Sequence, residues 1–367
     1  MKTEDILREL IAIRTDGQNI KDNKAVAYIC NILEQEHILF KCIPTEDKTA
    51  LNIIAGINIQ ELKNIQTGLI LSGHIDTVGA NIEDWDGNPF EAKRVNDALY
   101  GRGTVDMKYF IAAVLSILPE IKKSKKPVLL LFSSDEETTV TGIRELCSFL
   151  EVRNIRPQYA LIGEPTNFGL CLSNKGYVGY TSIIKGISAH SSCPKLGVNA
   201  AYIAAHIISE IEKLNAAYES NGTTLNVGIL SGGEGRNSIP SETKIEWEIR
   251  YSREEHKTEI LQHLSLLQTE LTKKYPKAHF SLISNENLPP FEDKGKSALA
   301  ERAQKILKTK IIALPHATEA GFLQQLGIDV LVCGAGNQEL AHSASEHISL
   351  NDLEKYTEFL KNLIAEI

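Results

Sequence analysis

Five segments of the sequence place acidic or histidine side chains where an apolar run ends or a helix begins. These residues are His74 and Asp76, Asp106, the acids at 135–137, Glu164 and His342. Carboxylates that converge inside a protein repel one another and are costly to remove from water. Bound metal ions relieve both costs, because they neutralise the charge and accept oxygen and imidazole ligands. These residue types therefore predict a metal site, provided that the fold brings them to one place.

The elements that would position these residues are short apolar strands alternating with helices. The strands include residues 68–74 (GLILSGH), 127–134 (PVLLLFSS) and 159–164 (YALIGE), continuous apolar runs typical of strands covered on both faces. Strand–helix alternation of this kind predicts an α/β fold with a mostly parallel sheet. Ligands of such sheets bind beyond the carboxyl ends of the strands, which is where the acids and histidines fall.

Each of these residues also has an ordinary structural interpretation when it is taken alone. A single loop histidine is more often a surface or hydrogen-bonded core residue than a ligand. Asp106 could cap the helix that follows it, and Glu136 and Glu137 could interact favourably with a helix N-terminus. Glu164 could be a turn residue. The metal interpretation is preferred because all of them fall at the same edge of the predicted sheet.

The character of the sequence changes near Lys175. Amphipathic strands, such as residues 176–186 and 243–251, here alternate with two long helix patterns in the order β-α-β-β-α. That order predicts a small α+β domain of ferredoxin type with one exposed sheet face. We therefore expect a catalytic domain interrupted by an inserted domain. The predicted segments are 1–174 (catalytic, first part), 175–287 (inserted) and 288–367 (catalytic, second part).

Composition and charge restrict the class of protein. A net charge of -8 argues against nucleic acid as the main partner, and the basic run at 122–126 is interpreted as a solvated loop. The six cysteines are scattered without a CxxC pair, which favours a reducing compartment. The first residues form a helix pattern with early acids, unlike a signal peptide, and no apolar run reaches the ~18 residues of a membrane span. A cytoplasmic protein without membrane partners is expected.

Taken together, the motifs resemble the dinuclear zinc aminoacylase and carboxypeptidase family, peptidase family M20. They occur in the family's order between residues 73 and 350: GHIDTV, WDGNPF, LYGRGTVDMK, DEET, GEPT, GISAHSS, NSIP and AHSASEHISL. The resemblance implies a metallohydrolase domain with an inserted lid or dimerisation domain, and hence a homodimer. It also implies two divalent metal ions, with Zn²⁺ expected and Co²⁺ or Mn²⁺ as alternatives.

The resemblance assigns a metal role to five residues. His74 and Glu164 would hold one ion, Glu137 and His342 the other, and Asp106 would bridge both. A cis peptide bond is expected after the bridging residue, at Asp106–Met107.

The resemblance also assigns roles in the reaction. Glu136 is the expected general base, and His190 the expected donor to the oxyanion, reaching the active site of a neighbouring subunit. Asp76 would orient His74, because residues i and i+2 of a strand point to the same side and its carboxylate could accept the other ring N–H. Asn237 and Arg250 are expected to bind substrate.

The expected reaction is the removal of an acyl group from an N-acyl amino acid. The segments GRGTVDMK, GEPT and TEAGF resemble most the branch of the family that converts N2-acetyl-L-ornithine and water to L-ornithine and acetate, a step of arginine biosynthesis. Within residues 314–321, Glu319 is expected to contact a substrate amine. Succinyl-diaminopimelate, acetylcitrulline, acetyl-lysine and dipeptides stay open as substrates, and an inactive binding relative is the alternative from another class.

Overall fold

The computed structural model describes residues 1–293, 295 and 297–367. The helices are α1 (Thr3–Ala12), α2 (Lys24–Gln35), α3 (Lys108–Ser116), α4 (Leu118–Ile121), α5 (Thr141–Val152), α6 (Ala200–Tyr218), α7 (Glu254–Lys274), α8 (Ala298–Leu307), α9 (Ala320–Gln325) and α10 (Leu350–Ala365). The strands are β1 (Leu39–Pro44), β2 (Leu51–Ile57), β3 (Leu69–His74), β4 (Lys93–Val95), β5 (Ala98–Tyr100), β6 (Val128–Ser133), β7 (Tyr159–Ile162), β8 (Leu170–Asn174), β9 (Gly176–Lys185), β10 (Thr224–Gly232), β11 (Glu242–Tyr251), β12 (His279–Leu288), β13 (Phe291–Glu292), β14 (Ile311–Leu314), β15 (Asp329–Val332) and β16 (His347–Ser349). None of the helices among these described residues has the length and apolarity that crossing a membrane requires.

The chain divides into two compact units. The first comprises Met1–Ser173, Glu292–Ala313 and Glu319–Ile367, and the second comprises Asn174–Phe291 and Leu314–Thr318. The domain boundaries expected at 174/175 and 287/288, and the lid or dimerisation role of the inserted domain, stay predictions.

The first unit is built on a large sheet whose centre is parallel. Its strand order is β1-β2-β6-β3-β7-β15-β8-β13, with β14 paired to β8. The neighbours β6, β3, β7 and β15 run parallel, whereas β1 and β2 join antiparallel at one side. Every residue of β3 and of β6 is buried, which is why both strands read as continuous apolar runs. The α/β fold with a mostly parallel sheet is confirmed.

The second unit is an antiparallel sheet with two helices on one face. Its strand order is β10-β11-β9-β12, and with α6 and α7 the chain follows the order β-α-β-β-α-β. Residues of β11 alternate: Ile245, Trp247 and Ile249 are buried in the cluster formed with α6 and α7, while Glu246 and Glu248 are half-buried on the opposite face. This period of two is the pattern that predicted a ferredoxin-type unit.

Candidate metal centre

The candidate ligands lie where the parallel strands of the first unit end. β3 ends at His74 itself, β6 ends just before the pair Glu136–Glu137, and β7 ends two residues before Glu164. The carboxyl ends of parallel strands meet at one edge of a sheet, so these side chains converge. Asp106 directly precedes the α3 region, and the expected cis bond at Asp106–Met107 is present.

His74, Asp106 and Glu164 form the first group of possible ligands. The Nε2 atom of His74 lies 2.9 Å from Oδ1 of Asp106 and 3.8 Å from Oε1 of Glu164. The imidazole is 1% exposed, so the group faces the interior. One imidazole with two carboxylates is a donor set that suits Zn²⁺, Co²⁺ or Mn²⁺.

Asp106, Glu137 and His342 form the second group. The Nε2 atom of His342 lies 3.1 Å from Oδ2 of Asp106 and 3.1 Å from Oε1 of Glu137. Asp106 thus presents one carboxylate oxygen to each histidine, the arrangement that a carboxylate shared by two ions requires. His342 has a φ of 61°, a left-handed conformation that is uncommon for residues other than glycine and is found disproportionately at functional sites.

The contacts of Asp76 differ from the prediction. The Nδ1 atom of His74 lies 2.9 Å from the main-chain carbonyl of Asp76, whereas the Asp76 carboxylate is 3.6 Å away. Asp76 thus still contacts the imidazole of His74, but its carbonyl is closer than its carboxylate. The carbonyl can only accept, which leaves the proton on Nδ1 and the lone pair of Nε2 free for a metal.

The Asp76 carboxylate instead supports the two neighbouring acids. Its Oδ1 accepts the main-chain N–H of Glu136 at 3.1 Å, and its Oδ2 accepts that of Glu137 at 3.0 Å. Asp76 therefore holds the backbone from which the expected base and one expected ligand project. Sequence reasoning missed this role, because a carboxylate that binds main-chain amides leaves no mark in side-chain spacing.

The electrostatics of these groups are those of carboxylates crowded into a buried site. Burial, together with the charge of Asp106, raises the pKa of Glu164 to about 8. Burial likewise raises the pKa of Glu136 well above its ordinary value, with Glu164 and Glu137 contributing in the same direction. Divalent cations would supply the positive charge that these carboxylates lack, so the residues present fit a pair of metal ions.

Glu319, the residue expected to contact a substrate amine, is a buried carboxylate of the first unit. Its side chain is 1% exposed, and its Oε1 and Oε2 atoms accept the hydroxyls of Ser133 at 2.5 Å and Ser72 at 3.4 Å. The carboxylate is thus enclosed and hydrogen-bonded by these hydroxyls, and its contact with a substrate amine stays a prediction. A serine near the end of each of two apolar strands was the sequence signal for such a buried partner.

The other expected substrate residues belong to the second unit. His190 and Ser238 form an isolated β-bridge, and the main-chain carbonyl of Asn237 accepts the N–H of Ser191 at 2.9 Å, so His190 and Asn237 lie together. Arg250 is the last residue but one of β11. It lies roughly 26 Å along the strand from Glu242, which begins β11, at ~3.3 Å per residue. Its Nε donates to Glu248 at 2.9 Å, and its guanidinium carbon lies 4.9 Å from the centroid of the Tyr177 ring.

Comparison with known proteins places this geometry in a family. Residues 70–366 match the model of peptidase family M20/M25/M40. The acetylornithine deacetylase of Buchnera aphidicola subsp. Schizaphis graminum is 30% identical over 308 residues, covering 81% of this chain and 80% of that protein. That of Pasteurella multocida is 32% identical over 313 residues, covering 82% and 80%.

Solved structures agree on the fold. A tripeptidase of Staphylococcus aureus superposes with a TM-score of 0.81 at 20% identity, covering 100% of this chain and 97% of that one. YXEP of Bacillus subtilis, a dinuclear metal binding peptidase of the M20 family, superposes with a TM-score of 0.68 at 15% identity, covering 99% and 97%. The chain belongs to peptidase family M20/M25/M40 and is a hydrolase.

Proposed function

We propose that the protein hydrolyses the amide bond of an N-acyl amino acid, with N2-acetyl-L-ornithine as its substrate and L-ornithine and acetate as its products. The observation that carries the proposal is the pair of ligand groups sharing Asp106 beside the Glu136 carboxyl. The choice of acetylornithine is supported by two relatives named acetylornithine deacetylase, which are 30% and 32% identical to this chain over about four fifths of each sequence. The family's peptidases share the fold, so peptides belong in every test of specificity.

In this proposal His74, Asp106 and Glu164 hold one ion, and Asp106, Glu137 and His342 hold the second. Zn²⁺ is the preferred ion, and Co²⁺ and Mn²⁺ fit the same donors. When bound, such a pair makes a water molecule more acidic and polarises the carbonyl of the amide. The residues of this chain then have to bind, orient and move protons.

Glu136 is the proposed proton carrier. Its carboxylate takes a proton from the attacking water and delivers it to the nitrogen of the leaving amine as the C–N bond breaks. The charges of His74, Glu164 and Glu137 all act on its pKa, so it lies near residues of both ligand groups. Burial and these acids raise the pKa of Glu136, which makes its carboxylate a stronger base towards the attacking water.

His190 is the proposed donor to the oxyanion of the tetrahedral intermediate. The main-chain N–H of Ser192 points to its Nδ1 at 3.3 Å, and the Ser192 hydroxyl lies 2.7 Å from the same atom. A main-chain N–H can only donate, so Nδ1 accepts and the neutral ring carries its proton on Nε2. That tautomer provides the donor that an oxyanion needs. We further propose a homodimer formed through the second unit, with His190 serving the partner's site and Asn237 and Arg250 binding substrate.

The experiment is a substrate panel on chelator-stripped protein before and after addition of Zn²⁺ or Co²⁺. Amine release is measured from acetylornithine, succinyl-diaminopimelate, acetylcitrulline, acetyl-lysine and a dipeptide. Metal-restored turnover that is highest on acetylornithine supports the whole proposal. Highest turnover on another compound would support the proposed reaction but overturn the assignment of acetylornithine as the substrate. Absence of metal-dependent turnover on all five compounds would overturn the proposed reaction.

A further inference from the structure

Glu346 is a buried carboxylate that the reaction described above does not use. It lies four residues after His342 in the loop that leads into β16, and its side chain is 0% exposed. Its Oε1 accepts the main-chain N–H of Val105 at 2.8 Å and that of Asp106 at 3.1 Å. Its own main-chain carbonyl accepts the N–H of Gly101 at 3.1 Å. One residue thus attaches the loop of one histidine to the backbone of the shared carboxylate.

Arg102 completes this arrangement from the other side of the carboxylate. Its Nη1 lies 2.5 Å from Oε2 of Glu346, and its side chain is 4% exposed. Its Nη2 donates to the carbonyl of Gly79 at 3.4 Å, and its guanidinium carbon lies 5.4 Å from the centroid of the Trp85 ring. The two oxygens of Glu346 are therefore divided between a charge partner and the ligand backbone.

We propose that Glu346 is a positioning residue for the metal centre: by accepting the Val105 and Asp106 amides, it sets the place of the carboxylate shared by both ions. The inference rests on the proposed assignment of Asp106 as the bridging ligand. A displaced Asp106 would weaken both ligand groups at once, since each histidine faces one of its oxygens. Loss of a group that orients a ligand typically costs about 10- to 100-fold in metal affinity.

The competing explanation is that the Arg102–Glu346 pair only stabilises the fold. Buried ion pairs are weak evidence for stability, because replacing both charges with apolar groups is often neutral. The two explanations differ in their expectation for a protein without the charges. Only the positioning role requires an oxygen that still accepts the main-chain N–H groups of Val105 and Asp106.

Two double variants separate these explanations. Arg102→Met with Glu346→Gln removes the ion pair and keeps an acceptor for both amides, whereas Arg102→Met with Glu346→Leu removes the ion pair and the acceptor. Each protein is stripped of metal, and its affinity for Co²⁺ is measured by competition with a chelator, together with the visible absorption spectrum of bound Co²⁺. The thermal midpoint of each metal-free protein is measured alongside.

We expect the glutamine variant to bind Co²⁺ within about threefold of wild type with the wild-type spectrum, and the leucine variant to bind about 10- to 100-fold more weakly with an altered spectrum. Equal affinities in the two variants would overturn the proposal. If the leucine variant does not fold, the glutamine variant decides: wild-type affinity supports the proposal, and a loss of tenfold or more overturns it.

Two controls keep this test apart from that of the metal centre itself. Tyr356→Phe removes another buried hydrogen bond, from the hydroxyl to the Cys333 carbonyl at 2.6 Å, and is expected to lower the thermal midpoint without changing Co²⁺ affinity. Wild-type protein that binds no Co²⁺ would overturn the proposed metal centre, whereas a failure confined to the variants would overturn only the role of Glu346.

Discussion

Replacing Glu319 with glutamine should change how the stability of the metal-free protein depends on pH. Burial raises the pKa of this carboxyl to about 7 from an ordinary value of 4.5, and the Ser133 hydroxyl opposes part of the rise. Glutamine keeps the size and an accepting oxygen for Ser133, and its amide group can donate to Ser72. The substitution therefore removes the titration with little change in packing.

The sign follows from where the proton is held more tightly. Because the pKa in the folded state lies above that in the unfolded state, the folded protein binds more protons between pH 4.5 and 7. Wild-type stability therefore falls as pH rises through this window, and Glu319→Gln escapes that loss. A shift of this size corresponds to about 3 kcal/mol over the whole window, and to roughly 2–3 kcal/mol between pH 5 and pH 8.

The assay is urea unfolding of both metal-free proteins at pH 5 and pH 8. The relevant quantity is the free energy of unfolding of the variant minus that of wild type at each pH. The contributions of the other titrating groups are the same in both proteins and cancel in this difference. We expect this difference to move in favour of the variant by about 2–3 kcal/mol from pH 5 to pH 8. A difference that is the same at both pH values would show that Glu319 is not held in an enclosed site, and would refute the reasoning.

Three further substitutions test other parts of the structure. Glu136→Gln should retain two bound metals per chain by elemental analysis while lowering kcat at least ~100-fold; turnover near wild type would rule out Glu136 as the base. Lys108 is buried and donates to the carbonyls of Leu10 at 3.0 Å and Ile13 at 2.8 Å, and burial lowers its pKa to about 7 from 10.5. The unfolded chain binds more protons between those values, so wild type should gain roughly 2–3 kcal/mol over Lys108→Met from pH 6 to pH 9 in urea unfolding; a constant difference would contradict this. Tyr109→Phe removes the hydroxyl that donates to the Gly163 carbonyl at 2.6 Å and should cost about 1–2 kcal/mol by the same measurement, whereas an unchanged stability would mean that this hydrogen bond contributes nothing.

The frame of the site could be predicted from the sequence because its strands are buried on both faces. Residues 127–134 are almost all apolar and do not alternate with polar residues, a pattern that predicts a central parallel strand. Once the strands are assigned, the rule that ligands bind beyond their carboxyl ends brings Glu137 and Glu164 to one edge. The same rule brings His74 to this edge, and the family resemblance then grouped Asp106 and His342 with these residues.

The supporting contacts could not be predicted, because they depend on the backbone and not on spacing. Asp76 and Glu346 act on main-chain amides, whose positions exist only in the folded chain. Asp76 was expected to orient His74 through its carboxylate, whereas its main-chain carbonyl is the closer acceptor. The role of Glu319 was assigned from its place in a motif. Its hydrogen-bond donors, Ser72 and Ser133, lie on separate strands that become neighbours only in the folded sheet.

The order of strands in the large sheet has a consequence for the synthesis of the chain. β15 lies between β7 and β8, yet it is translated after all four strands of the second unit. Until residue 332 has left the ribosome, β7 and β8 each lack a neighbour, and unpaired apolar strands are exposed to wrong partners. All four strands and both helices of the second unit have been translated by Leu288, whereas β15 of the first unit has not. A nascent chain arrested between these points would carry a complete second unit while β7 and β8 of the first unit are still open to wrong partners.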